Sequence, residues 1–180
     1  MPTPIGHALA GVAAGFLVGG GGATTFPAVE RGWLTMRKFL LDTRVILFGV
    51  LGALPDIDFL FGVHSTYTHS VGAIVVVGVV SALAGSQVEL RSGVAAAAAY
   101  GSHVALDWLG SDAVAPIGVM ALWPLSSEFF LSERYWFMAV CREYWLADCW
   151  WHNGSALVHE LFVLGSFAVG AVVVRRRLSL

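Results

Sequence analysis

The residue types best suited to chemistry in this chain are concentrated in one stretch, Leu54 to Ser70, which reads LPDIDFLFGVHSTYTHS. It places Asp56, Asp58, His64 and His69 in the seam between two long apolar runs. An ionisable side chain at membrane depth is costly, so it indicates a functional site. Imidazole and carboxylate ligands without thiolates suit zinc, and also manganese or iron. The stretch therefore predicts a divalent transition-metal site.

Two further parts of the chain supply residues of the same kinds. His7 lies near the start, and His103 and Asp107 form an HxxxD pair whose members share one face of a helix. A catalytic zinc site keeps a position for water, whose lowered pKa yields hydroxide near neutral pH. A second carboxylate near such a metal can act as general base. The pattern therefore predicts a hydrolytic metal site.

Three residues are assigned to catalysis, namely Asp58, Glu160 and His64. Asp58 is preferred as the general base, because it lies two residues from a candidate ligand on a segment that Pro55 can distort inward. Its alternative role is to orient His64 or His69 through a ring N–H. Glu160 is the second candidate for the base.

The composition indicates a membrane protein of one domain. The chain has 180 residues, of which 57% are hydrophobic and 12% are charged, whereas soluble domains carry about 25% charged residues. The net charge of −2 and the absence of a basic patch exclude a nucleic-acid-binding protein.

Five apolar segments have a length suited to a bilayer, which takes about 20 residues to span. They cover residues 5–23, 45–62, 70–86, 93–110 and 155–174. The sequence therefore predicts an all-α fold, a polytopic membrane helical bundle of about five spans in a single domain over 1–180. In the first segment His7 heads a stripe of Gly11, Gly15 and Gly19. Such stripes let membrane helices approach closely, so we expect His7 to face the bundle.

Residues 128–151 combine many aromatic side chains with evenly spaced charges. This predicts an aromatic-rich amphipathic helix lying in the membrane interface, as an anchor or a lid. Cys141 and Cys149 fall within it. On a continuous helix the rise between them would be about 12 Å, too far for a disulfide. We therefore expect no disulfide, and the pair indicates no redox compartment.

The basic residues predict the orientation, because Lys and Arg favour the cytoplasmic side. With the amino terminus outside and the carboxyl terminus inside, most of them fall inside: Arg31, Arg37, Lys38, Arg44, Arg91 and Arg175–Arg177. Only Arg134 and Arg142 fall outside. The same topology places all the candidate site residues in the outer half: His7, Asp56, Asp58, His64, His69, His103, Asp107, His159 and Glu160. This convergence predicts one site near the outer face of the cytoplasmic membrane.

At these residues the chain resembles the YdjM-like, LexA-regulated inner-membrane proteins, a family of metal-dependent hydrolases. The motifs that carry the resemblance are Gly6–His7, Leu54–Asp58, His64, Thr68–Ser70, His103 to Asp107, Gly118, Leu122–Pro124 and Ser126. The family is in turn similar to zinc-dependent phospholipase C. The resemblance implies hydrolysis of a phosphoester or lipid headgroup, with one or two divalent ions, zinc foremost. The ligands that it implies are His7, Asp56, His69, His103 and Asp107.

Three positions depart from the family pattern. Ser65 stands after His64, where the family often has Arg, and Phe59 replaces a frequent histidine. The late HxxxE of the phospholipase is missing, and His159–Glu160 is the substitute that the sequence offers.

The leading hypothesis is a membrane metallohydrolase acting on a lipid phosphate or another interfacial ester. A metal or proton transporter is an alternative, but it would need polar groups through the inner halves of the helices, which consist of Gly, Ala and Val. A non-catalytic membrane protein with helices stapled by a metal is another alternative, and it would show a closed coordination shell. No oligomeric state is predicted.

Overall fold

The computed structural model describes residues 1–19, 42–84 and 88–178, and within these ranges the regular structure is helical. The α-helices are α1 (Pro4–Gly19), α2 (Thr43–Ala53), α3 (Val71–Leu83), α4 (Leu90–Leu109) and α5 (Ala147–Leu178). Two short 3-10 helices, Leu54–Leu60 and Tyr67–His69, connect α2 to α3. The prediction of an all-α fold is confirmed.

Local sequence signals explain several helix boundaries. The side chain of Asp42 accepts a hydrogen bond from the Arg44 backbone N–H at 2.9 Å and caps α2. Ser70 caps α3 in the same way through the Ala73 N–H, at 3.1 Å. Helix α2 ends just before Pro55, which has no N–H for a helical bond. The chain continues from there as a 3-10 helix, which changes the direction of the next side chains.

Helix α1 is the centre of the bundle. It packs against α2, α4 and α5, and α3 packs on the far side of α4. Helices α1 and α5 run parallel, since Thr3 contacts Glu160 at one end and Phe16 O accepts from Arg175 Nε at the other, at 2.9 Å. The main core uses small side chains, which permit close helix approach. It consists of Val12, Ala13, Phe48, Ala95, Ala99, Ala168, Ala171 and Val172.

The glycine stripe of α1 is a packing face. A Cβ on Gly52 of α2 would lie 2.4 Å from the His7 carbonyl oxygen, and one on Gly11 would lie 2.4 Å from the Phe48 carbonyl oxygen. Only glycine permits backbones to approach this closely. His7, at the head of the stripe, is 1% exposed. It faces the bundle, as the stripe predicts.

The prediction of five membrane-spanning segments is not confirmed by helix length and composition. Within the described residues, the helix that is long and apolar enough to cross a membrane is Ala147–Arg175 in α5. Helices α1 and α3 are apolar but have 16 and 13 residues, and α2 has 11. Helix α4 has 20 residues but carries Arg91, His103 and Asp107. The predicted segments 5–23 and 70–86 each continue into residues outside the described ranges.

The prediction of an amphipathic helix over 128–151 is wrong. Residues 128–146 contain no helix, and α5 begins at Ala147. Isolated β-bridges join Gly110 to Phe137 and Val119 to Phe130. The segment also bonds to the end of α4, for example from the Trp136 N–H to the Leu109 carbonyl at 2.9 Å. Its backbone groups pair with distant parts of the chain instead of with one another in a helix.

The expectation that Cys141 and Cys149 form no disulfide is also wrong. They are bonded, with their Cα atoms 5.4 Å apart. The predicted separation assumed a continuous helix, whereas the chain turns over residues 144–146 before α5 begins. Because disulfides persist in oxidising compartments such as the bacterial periplasm, the pair does carry information about location.

Candidate metal centre

The fold gathers the predicted site residues at one end of the bundle. They come from the start of α1, the connection between α2 and α3, and the last turns of α4. These residues are His7, Asp56, Asp58, His64, His69, His103 and Asp107. Pro55 contributes by ending α2, since the 3-10 helix that follows turns both aspartates toward the histidines.

The donor atoms are spaced as metal ligands would be. The Nε2 atoms of His69 and His103 are 3.1 Å apart, and Asp107 Oδ2 lies 3.3 and 3.2 Å from them. Asp56 Oδ1 is 3.4 Å from His103 Nε2, and His7 Nε2 is 3.2 Å from Asp107 Oδ1. Ligands about 2.0–2.1 Å from a tetrahedral zinc are about 3.3 Å from one another. The observed separations therefore fit donors that surround a cation.

These donors form two adjacent groups, each of which could hold a metal ion. Within each group, one ligand atom per residue lies within 4.8 Å of the others. One group is His7, His103 and Asp107, and the other is Asp56, His64 and His69. The two groups contain all five of the ligands that the family resemblance implies, and they add His64.

The Asp107 carboxylate provides a test of whether a cation fits. Its side chain is 0% exposed, and neither oxygen accepts a hydrogen bond of normal geometry within the described residues. His7 Nδ1 is likewise buried and without a hydrogen-bond partner there. A buried carboxylate with no hydrogen bonds is costly unless a positive charge compensates it. A divalent metal among the three neighbouring imidazoles would satisfy Asp107.

Asp58 fixes the orientation of two of the histidines. Its Oδ1 lies 2.8 Å from His64 Nδ1, and its Oδ2 lies 3.1 Å from His69 Nδ1. Oδ2 also accepts hydrogen bonds from the Ser65 N–H at 3.0 Å and the Thr68 hydroxyl at 2.9 Å. This is the arrangement in which a carboxylate binds one ring N–H of a metal-ligating histidine. It leaves the Nε2 atoms of both rings directed toward Asp56.

His103 is oriented by the backbone. Its Nδ1–H donates to the carbonyl of Gly52, at 2.7 Å, so its Nε2 faces the other donors. The ring also stacks on that of His7, with 3.6 Å between the centroids. The close approach of α1 and α2 at Gly52 thus helps to place both histidines.

The carboxylates that surround His69 also determine its protonation. Burial lowers the pKa of its imidazole, but the neighbouring carboxylates of Asp107, Asp56 and Asp58 raise it, to about 11. In the metal-free chain His69 is therefore protonated at neutral pH. Because a metal ligand must be deprotonated, a metal bound by His69 would displace this proton.

Glu160, the second candidate for the general base, belongs to neither donor group. Its side chain is buried against the start of α1, where it accepts hydrogen bonds from the Thr3 N–H at 2.9 Å and from the Thr3 hydroxyl. The Thr3 oxygen in turn accepts from the Gly6 N–H at 3.1 Å. Glu160 therefore joins α5 to the start of α1. His159 is exposed, with its ring 5.8 Å from that of Phe137.

A cavity of about 350 Å³ opens beside the donors. Its wall includes His7, Asp56 and His64, and also Arg142 and Tyr144. Arg142 was not among the residues predicted for the site, because it was expected within an interfacial helix. The sequence did contain one signal against that helix. Arg142 follows Cys141, and a Cys141–Cys149 disulfide cannot form within a continuous helix.

Comparison with known proteins adds one finding. The sequence profile described as YdjM inner membrane protein matches residues 1–178, which include every member of both donor groups. No curated protein and no solved structure matches the chain.

Proposed function

The chain belongs to the YdjM inner membrane protein family, and on that premise we propose that it is a metal-dependent hydrolase of a phosphoester or lipid headgroup. The observation that supports this most directly is the pair of donor groups beside an open cavity. The metal we propose is zinc, as one or two ions, because the donors are imidazoles and carboxylates. Bound there, it would polarise the substrate and activate water near neutral pH.

The chain's own residues divide the remaining tasks. We assign His7, Asp56, His69, His103 and Asp107 to holding the metal. Asp58 holds the rings of His64 and His69, and its oxygens are occupied by these contacts. This favours the orienting role over the role of general base.

His64 is the residue that we assign to proton transfer. Its side chain is 12% exposed, against 0–1% for the other histidines of the two groups. It lines the cavity, and Asp58 lies 2.8 Å from its Nδ1. A histidine held by a carboxylate at one nitrogen can exchange a proton at the other, so His64 Nε2 is the reacting atom.

Both alternatives fit the site less well. A metal-stapled, non-catalytic protein would enclose its donors, whereas Asp56 and His64 line an open cavity. A transporter would need polar groups along the bundle, whereas the core between α1, α4 and α5 consists of small apolar residues such as Ala95, Ala99 and Ala168.

The test of this function is metal analysis of the purified protein, with a screen of phosphomonoesters, phosphodiesters and phospholipids in detergent. We expect bound zinc and a hydrolytic activity that a chelator removes and zinc restores. A protein that retains zinc but hydrolyses none of these substrates would support the metal-stapled alternative instead.

We further propose that the five helices form a membrane bundle with the donor end outside the cytoplasm. Helix α3 exposes a row of valines, Val75, Val76, Val79 and Val80, each 51–61% exposed. Apolar surface of this kind marks an interaction site or a membrane-facing surface. The Cys141–Cys149 disulfide comes from the segment that packs on the donor end, and it favours an oxidising side for that end.

Reporter fusions test this orientation. A fusion after Arg177 should report a cytoplasmic location, and one within residues 110–146 should report an exported one, because most basic residues then lie inside. A chain that ends at residue 146, and therefore lacks α5, provides the control, and a reporter fused there should report an exported location. An exported reporter after Arg177 in the full chain would overturn both the orientation and the outer location of the site.

A further inference from the structure

We propose that Arg142 binds the anionic phosphate group of the substrate in the cavity that the metal donors also line. This inference rests on the proposed hydrolase function and adds to it the residue that recognises the substrate. Arg142 lines the same cavity as His7, Asp56 and His64. Its planar guanidinium carries donors in a fork that matches two phosphate oxygens.

The side chain of Arg142 is positioned by an aromatic ring and not by an ion pair with a carboxylate of the described residues. The guanidinium carbon lies 5.5 Å from the centroid of the Phe59 ring, a cation–π contact. The other partner of that ring is His64, stacked at 3.9 Å between centroids. Arg142, Phe59 and His64 thus form a stacked series that ends at a member of the donor groups. No carboxylate of the described residues lies within ion-pair distance of Arg142.

The backbone beside Arg142 is also fixed. Cys141 is bonded to Cys149, which is 3% exposed. The side-chain amide of Asn153 accepts from the Cys141 N–H at 2.8 Å and donates to the Cys141 carbonyl at 3.0 Å. These contacts attach the loop to α5 immediately before Arg142. The loop therefore presents the arginine to the cavity in a defined position.

The charges around the cavity agree with an anionic ligand once a cation occupies the donors. Asp56 is one of the proposed ligands, so its charge is directed at the metal. The Asp112 carboxylate accepts hydrogen bonds from the Val114 N–H at 3.2 Å and the Gly118 N–H at 3.0 Å. Arg142 and the metal would then be the groups that attract a phosphate.

The test is binding of inorganic phosphate to the zinc-loaded protein, measured by titration calorimetry in a detergent without phosphate. For Arg142→Gln we expect affinity to fall about 10–100-fold, the effect of losing hydrogen bonds to a charged group. Zinc content should be unchanged. Arg134→Gln, an exposed arginine of the same segment outside the cavity lining, is the matched control and should bind as the wild type does. Arg142→Lys keeps the positive charge but lacks the two parallel N–H donors of a guanidinium, so it should bind phosphate with intermediate affinity. This variant replaces Arg142→Gln in the test if the glutamine variant does not fold.

Wild-type affinity in Arg142→Gln, or no phosphate binding by the wild type, would overturn the assignment. Because binding is measured without turnover, phosphate binding that depends on Arg142 in a protein without hydrolase activity would uphold the assignment of Arg142 and refute the hydrolase function.

Competition identifies the source of the phosphate group. Displacement of inorganic phosphate by glycerol phosphate supports a soluble ester, and displacement by vesicles containing phosphatidic acid supports a lipid headgroup. Displacement by neither would overturn the role of Arg142 in substrate recognition.

Discussion

Replacing His103 by Ala is expected to remove at least one metal ion and to abolish hydrolysis. His103 Nε2 lies 3.1 Å from His69 Nε2 and 3.2 Å from Asp107 Oδ2, at the point where the two donor groups meet. Loss of a carboxylate that merely orients a ligand weakens metal binding by about 10–100-fold, so loss of a ligand should cost more. Metal content measured by mass spectrometry, together with the hydrolysis rate, checks this.

His159→Ala is the matched control, because His159 is exposed and lies outside both donor groups. It should retain metal and activity. A His103→Ala protein that folds and keeps its full metal content would remove His103 from the ligands. Thermal unfolding of each variant separates loss of metal from loss of the fold.

A weaker but still large effect is expected for Asp58→Asn. An amide presents one acceptor oxygen and one donor group, so it cannot accept from the ring N–H groups of His64 and His69 at the same time. We expect metal affinity to fall about 10–100-fold because the rings of His64 and His69 are no longer both held in place. Hydrolysis should fall as well, because a site with either ring out of place holds the metal or His64 less accurately. Zinc titration and steady-state kinetics measure the two effects.

The kinetics of this variant also test the role that the sequence suggested for Asp58. Loss of a general base typically costs about 10²–10⁴-fold in rate and leaves metal content intact. That outcome would restore Asp58 as the base and contradict the orienting role. Asp148→Asn, at an exposed position in the first turn of α5, is the control. Full turnover and full metal in Asp58→Asn would exclude both roles, and Glu160 would be tested next.

The residues of the two donor groups could be predicted from the sequence because ionisable side chains are conspicuous in apolar segments. His103 and Asp107 are brought to one face by helical spacing alone, and the glycine stripe that His7 heads indicates its direction. The break at Pro55 explains how Asp56 and Asp58, two residues apart, can both turn to the site. These signals are local, because each depends on residues that are close together in the chain. Packing of the helices then brings the separate groups of residues together.

What the sequence did not reveal depends on contacts between distant residues. The segment before α5 is not helical because its backbone pairs with the end of α4 and with the amino terminus, as in the bond from the Val140 N–H to the Met1 carbonyl at 3.1 Å. The same non-local pairing permits the disulfide and brings Arg142 to the cavity. Glu160 likewise has its partner, Thr3, at the opposite end of the sequence. No periodicity or spacing encodes such pairings.

The spread of the donors along the chain has a consequence for biogenesis. The group of His7, His103 and Asp107 takes its donors from α1 and α4, so a nascent chain cannot complete this group until α4 has been synthesised. Metal binding couples to folding when its ligands come from separate segments. Loading of this group would thus be a late step of assembly, available only to chains that have packed α1 against α4. Translation products truncated before α4 would lack this group, and quality control in the membrane could distinguish them on that basis.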